Sequence, residues 1–216
     1  MGMVNINTCP LNTNGNKCKE LFLDSSGDNR STKIFSVAEI DSGLLLCGAS
    51  MVTDNTLKKY NVTCVISVSP ELPQVPLPNS ITRHYTINVR DTIDSNLGEH
   101  FDSIADIINQ VQEEGGVTLV HCVAGVSRSA SLCIAYLIKY KNMTLNEAYW
   151  YVHSKRRCIR PNNSFFNQLI DYEEKLTGVS TVKMVYNKGA NGVIPDLYES
   201  MYLNTTNYTK RFIGTN

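Results

Sequence analysis

A cysteine, a glycine and an arginine stand close together in the stretch VTLVHCVAGVSRSA, as Cys122, Gly125 and Arg128. The apolar run VTLV predicts a buried strand, and an apolar stripe from Ala130 to Ile138 predicts a helix directly after the loop. The N-terminus of a helix offers unpaired backbone N–H groups and a partial positive charge, and both favour anions. The sequence therefore predicts an anion-binding loop at this junction, rather than an ordinary turn in a core.

These residue types suit attack on a phosphate ester. A helix terminus and a neighbouring cation stabilise a cysteine thiolate, which is the nucleophilic form. Gly125 lets the loop turn tightly without filling it, and the planar fork of Arg128 can hold two phosphate oxygens. Together they predict nucleophilic catalysis at phosphorus. An acid must also protonate the leaving group, and VRDTIDSNLGEHF offers Asp91 and Asp94 as candidates.

The elements that would position these residues alternate along the chain. Short β-like runs occur in KIFSVAEI, GLLLCG, VTCVISVS, RHYTINV and VTLV, and PELPQVPLPNS with its prolines predicts a loop. Apolar stripes predict helices after Phe101 and from Ala130, while Thr144 with Glu147 and an asparagine cap at Asn162 predict two more. This alternation predicts an α/β fold with a central, mostly parallel five-stranded sheet flanked by helices on both faces.

The length of 216 residues suits one domain of ordinary size with loose ends. We expect a flexible N-terminal arm over residues 1–32, a folded domain over 33–178, and an extension over 179–216. The extension contains TVKMVY, NG and VIPDLY, which predict short strands or a strap packed on the domain, and partial disorder of the extension is the alternative. No internal repeat is visible.

Composition and charge exclude several classes of function. Apolar residues make up 42% and charged residues 19% of the chain, as is typical of soluble globular proteins. A formal net charge of zero argues against nucleic acid as a partner. No apolar run reaches the roughly 18 residues needed for a transmembrane segment. The N-terminus resembles no signal peptide, so we expect the protein in a reducing compartment. Myristoylation of Gly2 is not expected, because Ile6 stands where the motif needs Ser or Thr.

The seven cysteines are an odd number and form no C-x-x-C pair. This pattern argues against a disulfide framework and against a zinc site, so most of the cysteines are expected in the core. Cys133 and Cys158 have a second interpretation, in which they protect an oxidised Cys122 by forming a disulfide. We expect no metal and no other cofactor.

The segment HCVAGVSRS resembles the signature H-C-x-x-G-x-x-R-[ST] of the cysteine-based protein phosphatases. The resemblance implies that Cys122 takes the phosphoryl group, that Arg128 binds it, and that Ser129 helps the thiolate to leave. It implies further that His121 orients and tunes the cysteine. The phosphate-binding loop would consist of Val123, Ala124, Gly125, Val126, Ser127 and Arg128.

The same resemblance chooses between the two candidate acids. The family pattern places the acid ten residues before the first aromatic residue of the preceding helix, which is Phe101, and this selects Asp91 over Asp94. Further along, EAYWYVHSKRRCIRPNNSFFNQL resembles the end of the catalytic core in the dual-specificity branch. This implies that Asn162 hydrogen-bonds the phosphate loop, a role compatible with its being a helix cap.

The extension resembles a small atypical subgroup of that branch, which contains dual-specificity phosphatases fourteen, eighteen and twenty-one. The implied activity is hydrolysis of phosphotyrosine, phosphoserine and phosphothreonine through a covalent phosphocysteine, with residues 33–178 as the catalytic domain. The implied partners are phosphorylated proteins, mitogen-activated protein kinases among them, in the cytoplasm and also the nucleus.

Two other functions remain open on the sequence: a phosphatase of RNA 5′-phosphates, phosphoinositides or glycans, and a phospho-binding module without catalysis. The loop VAGVS carries no lysine, which argues against a polyanionic substrate. The basic run KRRCIR also has two interpretations. Its cations either stabilise the end of a helix, or attract acidic phosphopeptides to the rim of the pocket.

Overall fold

The computed structural model describes residues 34–73 and 76–202. The expected arm over residues 1–32, including Gly2, and the end of the extension from residue 203 lie outside the described residues. The strands of the main sheet are β1 (Ala38–Asp41), β2 (Leu44–Gly48), β3 (Cys64–Ser67), β4 (Arg83–Thr86) and β5 (Thr118–Cys122).

These strands form one sheet in the order β1-β2-β5-β3-β4. Strand β5 is central and pairs in parallel with both β2 and β3, β4 pairs in parallel with β3, and only the edge strand β1 runs antiparallel to its neighbour β2. The predicted α/β fold with a mostly parallel five-stranded sheet is therefore confirmed. In such a sheet the carboxyl ends of the parallel strands share one edge, where ligands bind.

In the described part of the chain, five α-helices accompany the sheet: α1 (Asp54–Lys59), α2 (Phe101–Glu113), α3 (Arg128–Lys141), α4 (Leu145–Lys155) and α5 (Asn163–Thr177). Side chains that alternate along β5 face opposite ways, so the sheet has two apolar faces. Val120 and Cys122 face a large core with the helices α2 to α5, whereas Leu119 packs with Leu57 of α1 in a smaller cluster. No helix in the described part of the chain is long and apolar enough to cross a membrane.

The helix boundaries follow from local chemistry. Thr144 and Glu147 form the predicted capping box, in which each side chain bonds the other residue's backbone N–H. The side chain of Asn162 accepts a hydrogen bond from the N–H of Phe165 and so begins α5. Helix α5 ends at Gly178, whose φ of 79° is the left-handed conformation that a glycine adopts without strain.

The extension folds back as a hairpin of β6 (Met184–Asn187) and β7 (Gly192–Pro195). The buried carboxylate of Glu173 in α5 joins three parts of the domain, because it accepts hydrogen bonds from Leu145 N (2.7 Å) and Thr181 N (2.7 Å). Beyond the hairpin, the hydroxyl of Tyr198 donates to the carbonyl of Pro161 at 3.0 Å. These bonds hold the described part of the extension on helix α5.

Candidate active site

The predicted loop connects the central strand β5 to helix α3, most of whose residues are buried. Strand β5 ends at Cys122 and α3 begins at Arg128, so the loop lies at the carboxyl edge of the sheet. The sulfur of Cys122 is almost fully buried and accepts a hydrogen bond from the hydroxyl of Ser129 at 3.1 Å. A hydroxyl donor in this position stabilises negative charge on the sulfur.

The backbone of the loop turns its carbonyls away from the cysteine. The Val123 carbonyl accepts from Ala49 N at 3.1 Å, and the Val126 carbonyl accepts from Arg160 N at 2.8 Å. The carbonyls between them accept from Arg156, as described below. Because C=O and N–H point in opposite directions across a trans peptide, outward carbonyls mean inward amides. The loop can therefore present a group of N–H donors to an anion.

Glycine is required at the turn of this loop. Gly125 has a φ of 67°, and a Cβ there would lie 2.4 Å from the carbonyl carbon and oxygen of Cys47. The neighbouring strand end is also tight, since a Cβ on Gly48 would lie 3.1 Å from the backbone of Val123 and Ala124. The loop thus packs directly on the end of β2, with no space for side chains between the two backbones.

The guanidinium of Arg128 is buried, with 3% of its side chain exposed. It donates to both carboxylate oxygens of Glu71, at 2.9 Å from Nη1 and 2.5 Å from Nη2, and Nη1 also donates to the carbonyl of Val89 at 3.2 Å. Burial disfavours the charge, but the hydrogen bonds to Glu71 together with the electrostatic effects of Cys122, Glu71 and Asp91 outweigh burial and raise the pKa of Arg128 above its ordinary value. The arginine is therefore a permanent cation beside the loop.

The structure places Asp91 against the phosphate loop. Its Oδ1 accepts from the hydroxyl of Ser127 at 2.9 Å and from Nδ2 of Asn162 at 2.7 Å, while Oδ2 lies 3.8 Å from Nε of Arg128. Asp94 lies in the turn that follows, and within the described residues no hydrogen bond or ion pair joins it to the loop. Of the two candidate acids, Asp91 is the one that contacts the loop in the described part of the chain.

Asn162 hydrogen-bonds the loop through its backbone and the Asp91 carboxylate through its side chain. Its side chain caps α5 and donates to Asp91, whereas its backbone N–H donates to the Ser127 hydroxyl at 3.1 Å. The side chain therefore orients the carboxylate directly. Its effect on the loop passes through Ser127, which bonds both residues.

The imidazole of His121 lies on the opposite face of the sheet from the sulfur of Cys122, as alternation along β5 requires. Its Nε2 lies 2.7 Å from the hydroxyl of Ser67, which in turn lies 3.0 Å from Nε2 of His84. Burial lowers the pKa of His121 to about 4, against a smaller opposing effect of the Cys122 backbone. His121 is therefore neutral at physiological pH, and cannot supply a positive charge to the thiolate.

Arg156 is the main residue of this site that sequence reasoning missed. It is 2% exposed and donates from Nε to the carbonyl of Gly125 (2.8 Å) and from Nη2 to that of Ala124 (3.0 Å). Other N–H groups of the same side chain reach the carbonyls of Ile34 and Ser36, at 3.1 and 2.8 Å. Arg156 thus connects the loop to the segment before β1.

Arg156 is the C-terminal cap of α4, as the helix-end interpretation of KRRCIR expects, but its guanidinium is buried under the loop rather than exposed at a pocket rim. Arg160 differs as well, because its guanidinium lies over the rings of Tyr198 and Tyr202, 4.7 and 5.4 Å from their centroids. Lys155 and Arg157 are exposed. The sequence signal that distinguishes these cations is weak, since four of them stand in one short run.

The other described cysteines are free thiols, and most of them lie in the core. Burial raises the pKa of Cys47 to about 12 and that of Cys64 to about 11, and it raises the pKa of Cys133 as well. A thiol held protonated is a weak nucleophile, so these residues are inert next to Cys122. This favours the interpretation of Cys133 as core packing.

Comparisons with known proteins agree with this geometry. Residues 44–175 match the family model described as dual specificity phosphatase, catalytic domain. Human dual specificity protein phosphatase 14 is 43% identical over 167 residues, which cover 77% of this chain and 82% of the relative. Human dual specificity protein phosphatase 21 is 41% identical over 176 residues, covering 81% and 90%.

Solved structures agree as well. The crystal structure of a mouse putative dual specificity phosphatase complexed with zinc tungstate superposes with a TM-score of 0.62 at 26% identity, covering 74% of this chain and 96% of that one. Sequence and fold thus point to the same family as the loop HCVAGVSRS. The chain belongs to the dual specificity phosphatase family and is a dual-specificity protein phosphatase.

Proposed function

We propose that this phosphatase hydrolyses phosphotyrosine, phosphoserine and phosphothreonine in proteins, with the residues of the loop in defined roles. The Cys122 thiolate attacks phosphorus, forming the S–P bond as the bond to the leaving oxygen breaks. Inward amides and Arg128 bind the phosphoryl oxygens. Water then attacks the phosphocysteine, and Ser129 donates its hydrogen bond to the departing thiolate.

The observation that carries this proposal is the contact between Ser129 and Cys122, 3.1 Å from hydroxyl to sulfur, inside a loop with outward carbonyls. The role of Asp91 rests on its two oxygens. Ser127 and Asn162 hold Oδ1, so Oδ2 is the oxygen that can carry a proton to a phosphate ester held by Arg128. The mouse relative was crystallised with tungstate, a tetrahedral oxyanion like phosphate.

The test of the acid uses leaving groups of different basicity. Asp91→Asn keeps the size of the side chain but cannot donate an acidic proton. We expect its kcat to fall by about 100-fold or more on a phosphoserine peptide, because an alkoxide leaves poorly without protonation, and by less on p-nitrophenyl phosphate. Asp94→Asn is the matched control and should keep the wild-type pH–rate profile. An unchanged profile for Asp91→Asn would reject the assignment.

The substrates are sought with trapping variants. Cys122→Ser and Asp91→Ala are expected to retain bound phosphoproteins from cells, and phosphorylated mitogen-activated protein kinases are the first candidates. We place this activity in the cytoplasm and also the nucleus. Phosphopeptides, RNA 5′-phosphates and inositol lipids compared side by side separate protein substrates from the others. Faster turnover of an RNA end or a lipid than of every phosphopeptide would contradict the protein substrate.

A further inference from the structure

The buried cation of the site has a partner that is distant in sequence. Glu71 lies in the proline-rich loop after β3, 57 residues before Arg128, and its two oxygens accept from Nη1 and Nη2 of the guanidinium. Contacts to both terminal nitrogens make this an end-on, bidentate pair. The carboxylate is 40% exposed, whereas the guanidinium is 3% exposed. Glu71 therefore covers the outer end of the arginine.

The remaining hydrogen atoms of the guanidinium can be counted. An arginine has five N–H donors. Three of them are used, two by Glu71 and one by the carbonyl of Val89. The two that are left, on Nε and Nη2, lie parallel on one edge. Within the described residues the buried Nε has no hydrogen-bond partner, and the nearest carboxylate on this edge is Asp91, 3.8 Å away.

We propose that Glu71 is a positioning residue for catalysis, which fixes Arg128 so that its Nε–Nη2 edge faces the phosphoryl group. The inference rests on the proposed function, in which Arg128 binds the substrate phosphate. Glu71 itself does not touch the phosphate, because it occupies the adjoining Nη1–Nη2 edge of the guanidinium and uses a different hydrogen of Nη2. A flexible side chain held in its working orientation before substrate arrives loses less entropy on binding.

The alternative role of Glu71 is that of a simple countercharge. The hydrogen bonds from Arg128 hold the pKa of Glu71 below its usual range, so the carboxylate is negative at neutral pH. A negative charge at the site weakens its attraction for a dianion. Removal of that charge would then tighten anion binding, whereas removal of a positioning contact would weaken it. The two roles therefore predict effects of opposite sign.

The experiment measures inhibition by tungstate and turnover of p-nitrophenyl phosphate. Glu71→Gln removes the charge and leaves one acceptor oxygen, and we expect weaker tungstate inhibition and a fall in kcat/KM, each about 10-fold or more. Glu71→Asp keeps the charge and both oxygens, but its side chain is shorter. The positioning role therefore predicts weaker tungstate inhibition and a lower kcat/KM for this variant too. Glu113→Gln, an exposed carboxylate on α2, is the matched control with wild-type kinetics.

A double variant separates the failure of this proposal from the failure of the proposed function. A lysine at position 128 has no fork to orient, so Glu71→Gln should cost little further activity in the Arg128→Lys background. If Arg128→Lys left tungstate inhibition unchanged, the proposed function of Arg128 would fail. If Arg128→Lys weakened inhibition while Glu71→Gln, with a wild-type melting temperature, bound tungstate equally well or more tightly, the positioning role alone would be overturned.

Discussion

Substitution of Arg156 by methionine tests whether a residue outside the signature holds the phosphate loop in shape. Methionine fills a similar volume but has no donors, so the carbonyls of Ala124 and Gly125 lose the N–H groups at 3.0 and 2.8 Å. The bond to Gly125 is buried, whereas the bonds to Ala124, Ile34 and Ser36 are part-buried, so these three carbonyls can bond to water instead. The cost therefore comes mainly from the loop.

An unpaired buried carbonyl such as that of Gly125 costs about 1–3 kcal/mol, and each part-buried carbonyl costs less because water can reach it. Better packing of the methionine offsets part of this, and we expect a loss of about 2 kcal/mol in the free energy of unfolding. Domains of this kind are typically stable by about 5–15 kcal/mol, so the variant should still fold. Turnover should fall by about 10- to 100-fold, because freed carbonyls no longer keep the amides of the loop pointing inward.

The assays are urea unfolding and kcat with p-nitrophenyl phosphate. Arg157→Met is the matched control, since the neighbouring arginine is exposed, and it should change stability by less than about 0.5 kcal/mol. Arg156→Lys keeps the charge but has only one side-chain nitrogen, so its stability and its kcat should lie between those of the wild type and Arg156→Met. Equal stability and equal kcat in the Arg156→Met and Arg157→Met variants would refute the reasoning.

Two further predictions concern the loop and the histidine beside it. Gly125→Ala should lower the free energy of unfolding by about 2–5 kcal/mol, because the alanine would be in a left-handed conformation and its Cβ would overlap Cys47. Gly178→Ala is the control, with a φ of 79° but nothing within 4 Å of its Cβ, and urea unfolding should show a loss of only about 1–2 kcal/mol. Equal losses would show that overlap is unimportant. A pKa of about 4 for His121 in the folded protein, against 6.5 in the unfolded chain, means that the unfolded state binds the proton first as pH falls. Stability should therefore be lost between pH 6.5 and 4, by about 3 kcal/mol more in the wild type than in His121→Gln. Parallel stability profiles of the two proteins from pH 7 to 4 would contradict this assignment.

The sequence predicted the fold class and the chemistry because both depend on local patterns. Alternating strand and helix patterns are sufficient for a parallel sheet, and the signature from His121 to Ser129 is contiguous. The capping box of Thr144 and the cap of Asn162 were also predictable, since a cap involves residues three positions apart.

Sequence patterns were weaker where a contact joins distant parts of the chain. The choice between Asp91 and Asp94 as the acid needed the family pattern, whereas the contacts of Asp91 with Ser127 and Asn162 are visible only in the structure. Asn162 was expected to hydrogen-bond the phosphate loop, and its backbone N–H does so at the Ser127 hydroxyl. The bond from its side chain to the Asp91 carboxylate was not foreseen, because the two residues are far apart in the sequence.

By itself, the sequence determined that a thiol, a hydroxyl and a guanidinium would meet at one helix N-terminus, because a strand, a short loop and a helix bring them together within a few residues. Only the tertiary structure decided what holds these groups in place. Glu71 and Arg156 come from segments 57 and 31 residues away from their partners Arg128 and Gly125. The physical reason is that a buried donor or acceptor must be paired, and the chain supplies whichever group the fold brings within hydrogen-bond distance.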